Sequence, residues 1–145
     1  MDKIVIIDEQ TSFREGLRKI IELKFGYPVE IIEKEPSKLT QRDENEPPRL
    51  IITQFVDQNI ELYINEMKAH GTKVVLLSLE TSNIQKYIDL DVFDGFLLKN
   101  MPTSQLLGVL QGIIENDEVY VHPSIGYRLL KRIQKNTQNV KTTCI

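Results

Sequence analysis

Five short apolar runs recur along the 145-residue chain: "KIVIID" (3–8), "VEIIEK" (29–34), "RLIITQ" (49–54), "KVVLLS" (73–78) and "GFLLK" (95–99). Each is rich in Val, Ile, Leu or Phe, and most are continuous rather than alternating, which predicts strands covered on both faces. Helical patterns lie between them. Phe13, Leu17, Ile20 and Ile21 follow Thr11 and Ser12, which can cap a helix, and Gly26 followed by Pro28 ends it. Residues 59–69 carry Ile60, Ile64 and Met67 and stop before Gly71, and a last pattern carries Leu106, Leu107, Leu110, Ile113 and Ile114 after Pro102, a residue suited to a first turn. Two connections are weaker. Residues 35–48 hold Leu39 as their only large apolar residue and predict a short or frayed helix, and residues 81–91 predict a short helix with Ile84, Tyr87 and Ile88 on one side.

Strands alternating with helices predict an α/β fold with a parallel sheet and right-handed crossovers. Five strands within about 100 residues suit a flavodoxin-like, doubly wound sheet of order 2-1-3-4-5 with helices on both faces. The 41% hydrophobic content allows one domain with a real core, and the net charge of -3 provides no global basic field for holding phosphates. No apolar run approaches the ~20 residues that span a bilayer, and the N-terminus enters a strand pattern directly, so a cytoplasmic location is expected. The single cysteine, Cys144, stands in a polar tail where it can make neither an internal disulfide nor a metal cluster.

In an open parallel sheet, ligands collect at the carboxyl ends of the strands, beside the point where strand order reverses. The first strand ends in Asp8 and Glu9, the third in Thr53 and Gln54, the fourth in Ser78 and the fifth in Lys99. Two carboxylates, an amide, a hydroxyl and an ammonium would share one rim. Asp57, three residues beyond Gln54, reads as a loop or helix-capping residue rather than a displaced acid of this rim. A hydrolase built on Ser78 or Thr53 lacks a base, because His70 falls at a helix end and His122 in a later extended piece. No Gly-rich phosphate loop follows any strand, which disfavours a flavodoxin-like enzyme or nucleotide-binding protein.

The stretches "KIVIIDEQTSFREGLRKII", "KVVLLS" and "DGFLLKNM" with the following "VYVHPSIGYRLL" resemble the receiver (CheY-like) domain of NarL/LuxR-type two-component response regulators, over roughly residues 1–130. The resemblance implies an acidic pair for Mg2+, here Asp8 and Glu9, with Glu9 in place of the usual second Asp. It implies a hydroxyl, Ser78, a lysine, Lys99, and a switch aromatic, Phe96. At the phosphoacceptor position, where the family has Asp, this chain has Gln54. A carboxamide is neutral and a poor nucleophile, so phosphorylation is not expected there. The protein is expected to be a non-enzymatic, phosphorylation-independent receiver acting as a regulatory and dimerisation module in transcriptional regulation. A receiver sensing a small ligand in the degenerate acidic pocket is the alternative.

Two close carboxylates need compensation, and Lys99 reaching across, or the Gln54 amide donating to them, supplies it without a cofactor. This locked pocket is preferred over a weak Mg2+ site on Asp8 and Glu9. The usual Gly-Ala before the fifth strand is replaced by "DLDVFDGF", so Phe96 also reads as a core residue. Gly108 and Gly112, four apart on the last helix, suggest a flat strip where a second copy could approach, since receivers of this family pair through their first and last helices. The boundaries expected are 1–120 for the receiver and 121–145 for a linker helix, carrying Ile125, Leu129 and Ile133, and a polar tail. Arg128, Lys131, Arg132 and Lys135 read as the solvated face of that helix. In the family this segment leads into a DNA-binding helix-turn-helix domain, which the chain does not contain. The expectation is therefore either a piece of a longer protein that binds DNA through that domain, or a receiver alone that acts on another protein.

Overall fold

The structure, a computed structural model, describes residues 3–32, 47–79 and 92–127. The expected helices around Leu39 and around Ile84, Tyr87 and Ile88 lie outside the described residues, as do Leu129, Ile133, the basic residues beyond Tyr127 and Cys144.

The described elements run β1 (Ile4–Ile7), α1 (Thr11–Phe25), β2 (Val29–Ile32), β3 (Leu50–Thr53), α2 (Gln58–Ala69), β4 (Lys73–Ser78), β5 (Gly95–Leu98), α3 (Thr103–Asn116) and β6 (Tyr120–Val121). All five apolar runs form strands, in one parallel sheet of order β2-β1-β3-β4-β5-β6. The order of the first five is the expected one. The sixth strand is a correction to the five-strand count: Tyr120 and Val121 pair with Gly95 and Phe96. Two residues are too short to give a periodic signal of their own, and it is the edge of β5 that makes them a strand.

Continuous apolar runs follow from burial on both faces. In β1, Ile4 and Ile6 join Leu17 and Ile21 of α1 in one core, while Val5 and Ile7 join Ile60, Tyr63, Ile64 and Met67 of α2 in the other. The first core also takes Leu106, Leu110 and Ile113 of α3, so α1 and α3 share one face of the sheet and α2 covers the other. Gly95 lets α3 settle onto β5, since a Cβ there would stand 2.9 Å from Ile113 Cδ1.

Helix ends follow from local chemistry. Gly26, at φ 73°, closes α1 by donating its N–H to the Glu22 carbonyl. Asp57 caps α2, its side chain accepting from the Ile60 N–H at 2.8 Å. Thr11 and Ser12 do not cap α1: the N-cap is Gln10, without a side-chain capping bond, and both hydroxyl residues lie in the first turn. Beyond β6, the His122 N–H donates to the Phe96 carbonyl at 2.9 Å and Ile125 is buried in the first core, which ties the chain to the body past residue 120.

Candidate functional site at the carboxyl ends of the strands

Parallel register carries the strand ends to one rim. Ile7 pairs with Thr53, Thr53 with Leu76 and Ser78 with Leu98, so the residues that follow β1, β3, β4 and β5 emerge together. The main chain continues the ladder, with the Gln54 N–H donating to the Ile7 carbonyl at 2.9 Å and the Lys99 N–H to the Ser78 carbonyl at 2.8 Å.

Asp8 and Lys99 form the centre. Lys99 Nζ lies 2.8 Å from Asp8 Oδ2, and the two side chains are only 3% and 4% exposed. The other oxygen, Asp8 Oδ1, accepts from the Gln10 N–H at 2.8 Å. Lys99 Nζ also donates to Gln10 Oε1 at 3.0 Å and stands 4.4 Å from the centre of the Phe13 ring, within reach of a cation–π contact. Arg14, buried in the first turns of α1, donates to the Asp8 carbonyl at 3.0 Å.

Gln54 faces this cluster from β3, with its Oε1 accepting from the Glu9 N–H at 3.2 Å. That bond orients the amide. Gln54 thus accepts from the backbone beside the acids, where the sequence offered its amide as a donor to them, and Lys99 supplies the compensation. Glu9 itself is exposed. Ser78 is buried at the end of β4, and the Thr53 hydroxyl donates to the Phe55 carbonyl at 2.6 Å. Phe96 is a largely buried core residue whose ring lies 5.2 Å from that of Phe93.

A hard divalent cation needs several free oxygen ligands. Both oxygens of Asp8 are engaged, Gln54 Oε1 is turned to a backbone N–H, and among the described residues no group of three His, Cys, Asp or Glu is placed to hold a metal ion. In this arrangement a cation on the expected weak site of Asp8 and Glu9 would have to displace Lys99 from Asp8.

Gln10, Phe13 and Arg14 were not read from the sequence as residues of this rim. Their signal was position alone: they follow the acidic pair into the first turns of α1, on the same rim. The two glycines of α3 prove unlike. Gly108 is exposed with open space above it, whereas Gly112 lies beneath the side chain of Glu118. They therefore do not form one continuous open strip.

No protein-family model matches the chain. In sequence it is similar to the transcriptional regulatory protein YdfI of Bacillus subtilis, 28% identical over 141 residues, covering 93% of this chain and 63% of the relative. It is also similar to the transcriptional regulatory protein DegU of Brevibacillus brevis, 22% identical over 147 residues, covering 92% and 58%. The chain therefore spans about three fifths of the length of these relatives. Among solved structures it is similar to a LuxR-family two-component response regulator from Aurantimonas sp. SI85-9A1, with TM-score 0.68, 16% identity and coverage of 90% and 96%. A structure of two RcsB dimers bound to two parallel DNAs gives 0.68, 20%, 91% and 68%. A CheY-like response regulator receiver domain from Methylobacillus flagellatus gives 0.59, 14%, 78% and 98%. The chain has the CheY-like receiver fold of response regulators, with LuxR-family structural neighbours and transcriptional regulators as its relatives in sequence.

Proposed function

We propose that this chain is a receiver module that works without phosphorylation, as a non-enzymatic regulatory and pairing unit in a LuxR/NarL-type transcriptional regulator. One observation carries the reading: at the end of β3 stands Gln54, hydrogen-bonded to the Glu9 N–H, while Lys99 is held by Asp8 and Gln10. Transfer of a phosphoryl group to a strand-end carboxylate needs that carboxylate as nucleophile, and a cation and an ammonium to neutralise the phosphoryl oxygens. Here the nucleophile is replaced by a neutral amide, and the acid and the ammonium neutralise each other.

Incubation with a small phosphodonor, or with beryllofluoride, and Mg2+ should leave both the mass and the NMR spectrum unchanged. A phosphoryl adduct on any Asp, or the widespread shifts of an activated receiver, would refute the reading. Gln54→Asp supplies the missing carboxylate beside Asp8 and should confer Mg2+ binding measurable by calorimetry. No gain would mean that the Asp8 and Lys99 pairing, and not Gln54 alone, keeps the site closed.

Pairing is favoured by a specific surface. On α1, Gly16, Ile20 and the 87% exposed Leu23 follow one another at helical spacing, and α3 presents the open Gly108. The RcsB structure contains dimers. Gly108→Glu together with Leu23→Glu should lower the sedimenting mass from dimer to monomer, and an unchanged mass defeats this assignment. Gly112 is left out of the test because its own Glu118 covers it.

A further inference from the structure

The chain leaves the sheet through one residue with two tasks. His122 ends the β6 ladder, its N–H donating to the Phe96 carbonyl at 2.9 Å, two residues after the Tyr120 N–H donates to the Asp94 carbonyl at 3.1 Å. It also opens the helical turn of residues 123–127, its carbonyl accepting from the N–H groups of Ile125 and Gly126, both at 2.9 Å. Pro123 takes the first position of that turn, where no N–H is needed, and the buried Ile125 pins the turn to the core.

The side chain of His122 completes the start of the turn. Its Nδ1 accepts from the Ser124 N–H at 3.1 Å, the bond that a Ser, Asp or Asn cap makes with the second helical residue. An imidazole differs from those caps in one respect. When it is neutral one of its nitrogens accepts, and when it is protonated both are donors. Ionisation therefore replaces the acceptor aimed at the Ser124 N–H by a second donor, and it adds positive charge at the end of a helical turn that is already positive. Imidazole is also the side chain whose ordinary ionisation falls between pH 5 and 8.

The charged groups of the neighbouring elements are engaged elsewhere. At the start of β5, Asp94 accepts from Lys68 and from the Val74 N–H, and just beyond its end Lys99 is held by Asp8 and Gln10. On α3 and in the turn after it, Glu115 accepts from Gln111, Asp117 pairs with Lys73 and Glu118 lies over Gly112. Tyr120 and Tyr127 are the other titratable groups in the described part of its own segment. None of the ion pairs among the described residues includes His122. Its ring is therefore committed to the Ser124 N–H alone.

We infer that His122 is a proton-sensitive cap, which holds the turn at the exit from the sheet when neutral and releases the Ser124 N–H when protonated. The β6 pairing persists in both states, because the bond to Phe96 is made by the main chain and not by the ring. The module thereby has a pH input at its exit. That input uses none of Asp8, Gln54 and Lys99, so it goes beyond the proposed function and does not depend on it.

Amide exchange followed by 1H–15N NMR on the full chain from pH 8 to pH 5 tests this, with the ring of His122 titrated in the same samples. After correction for the intrinsic pH dependence of exchange, protection of the Ser124 amide should fall about threefold or more, with the midpoint of the His122 ring. A charge that was merely near would move the Ser124 shift and leave its protection level, so level protection overturns the inference. His122→Asp keeps an acceptor down to about pH 3.9 and should hold the Ser124 protection constant over the range, with the native spectrum elsewhere. A fall in His122→Asp as large as in the parent chain also overturns it.

Discussion

The two rims of the sheet hold ion pairs of equal length and opposite character. At the carboxyl rim Lys99 and Asp8 meet at 2.8 Å with side chains 3% and 4% exposed, and at the amino rim Lys73 and Asp117 meet at the same distance with 26% and 82% exposed. Distance therefore says little about what each contributes. In water two charges at that range attract weakly, whereas a buried charge that loses its partner is stranded where nothing else solvates it. A third pair, Lys68 and Asp94 at 2.8 Å, lies between these extremes, and Asp94 also accepts from the Val74 N–H at 2.8 Å at the start of β4. The carboxyl rim buries its charges against each other, and at the amino rim Asp94 finishes a ladder.

Removing one partner at each pair ranks the two rims. Lys99→Met should cost the most, about 3–5 kcal/mol in urea unfolding, because Asp8 is left buried and uncompensated. Adding Asp8→Asn should recover most of that loss, and a double variant no better than Lys99→Met would mean that the ammonium matters through Gln10 and Phe13 instead. Asp94→Ala should cost about 1–3 kcal/mol by leaving the Val74 N–H without its acceptor, and the amide protons of β4 and β5 should then exchange faster at their amino ends. If Asp94→Ala proved costlier than Lys99→Met, the ranking by burial would fail.

Asp117→Asn should have the smallest effect, a change in urea midpoint at neutral pH smaller than either of the others. The Lys73 hydrogen bond, and then its charge, hold the Asp117 carboxyl below its ordinary value of 3.8. Because the folded value is the lowered one, this contribution is present above pH 3.8 and is lost as pH falls through the folded value below it. The difference between the parent chain and Asp117→Asn should accordingly disappear in strong acid, and it should shrink in high salt at neutral pH. A difference that grew on acidification would contradict the assigned pairing.

Much of this is legible in the sequence. The strands were readable because burial on both faces leaves continuous Ile, Val and Leu runs, and the end of α1 because Gly26 adopts φ 73°. Asp8, Gln54, Ser78 and Lys99 were readable as neighbours, since parallel strands deliver their carboxyl ends to one side. The use of each group at the rim was not readable. Lys99 finds Gln10, 89 residues away, and Glu9 finds Gln54, 45 residues away. No local pattern encodes such pairs. The cover of Glu118 over Gly112 was likewise invisible, and Tyr120 and Val121 were legible as extended but not as partners of β5, because each depends on where a turn returns the chain.

By itself the sequence determined which residues could be strands, which helix ends could close, and that the third strand runs out in Thr53 and the amide Gln54. Hydrophobic periodicity and backbone preference act over a few residues, so a linear reading captures them. Only the tertiary structure decided that Asp8 pairs with Lys99, that Gln54 accepts from the Glu9 N–H, and that α1 and α3 leave a cleft between them. Those outcomes follow from the packing of elements distant in sequence, where burial sets the strength of each charge and the order of the crossovers sets which groups can meet.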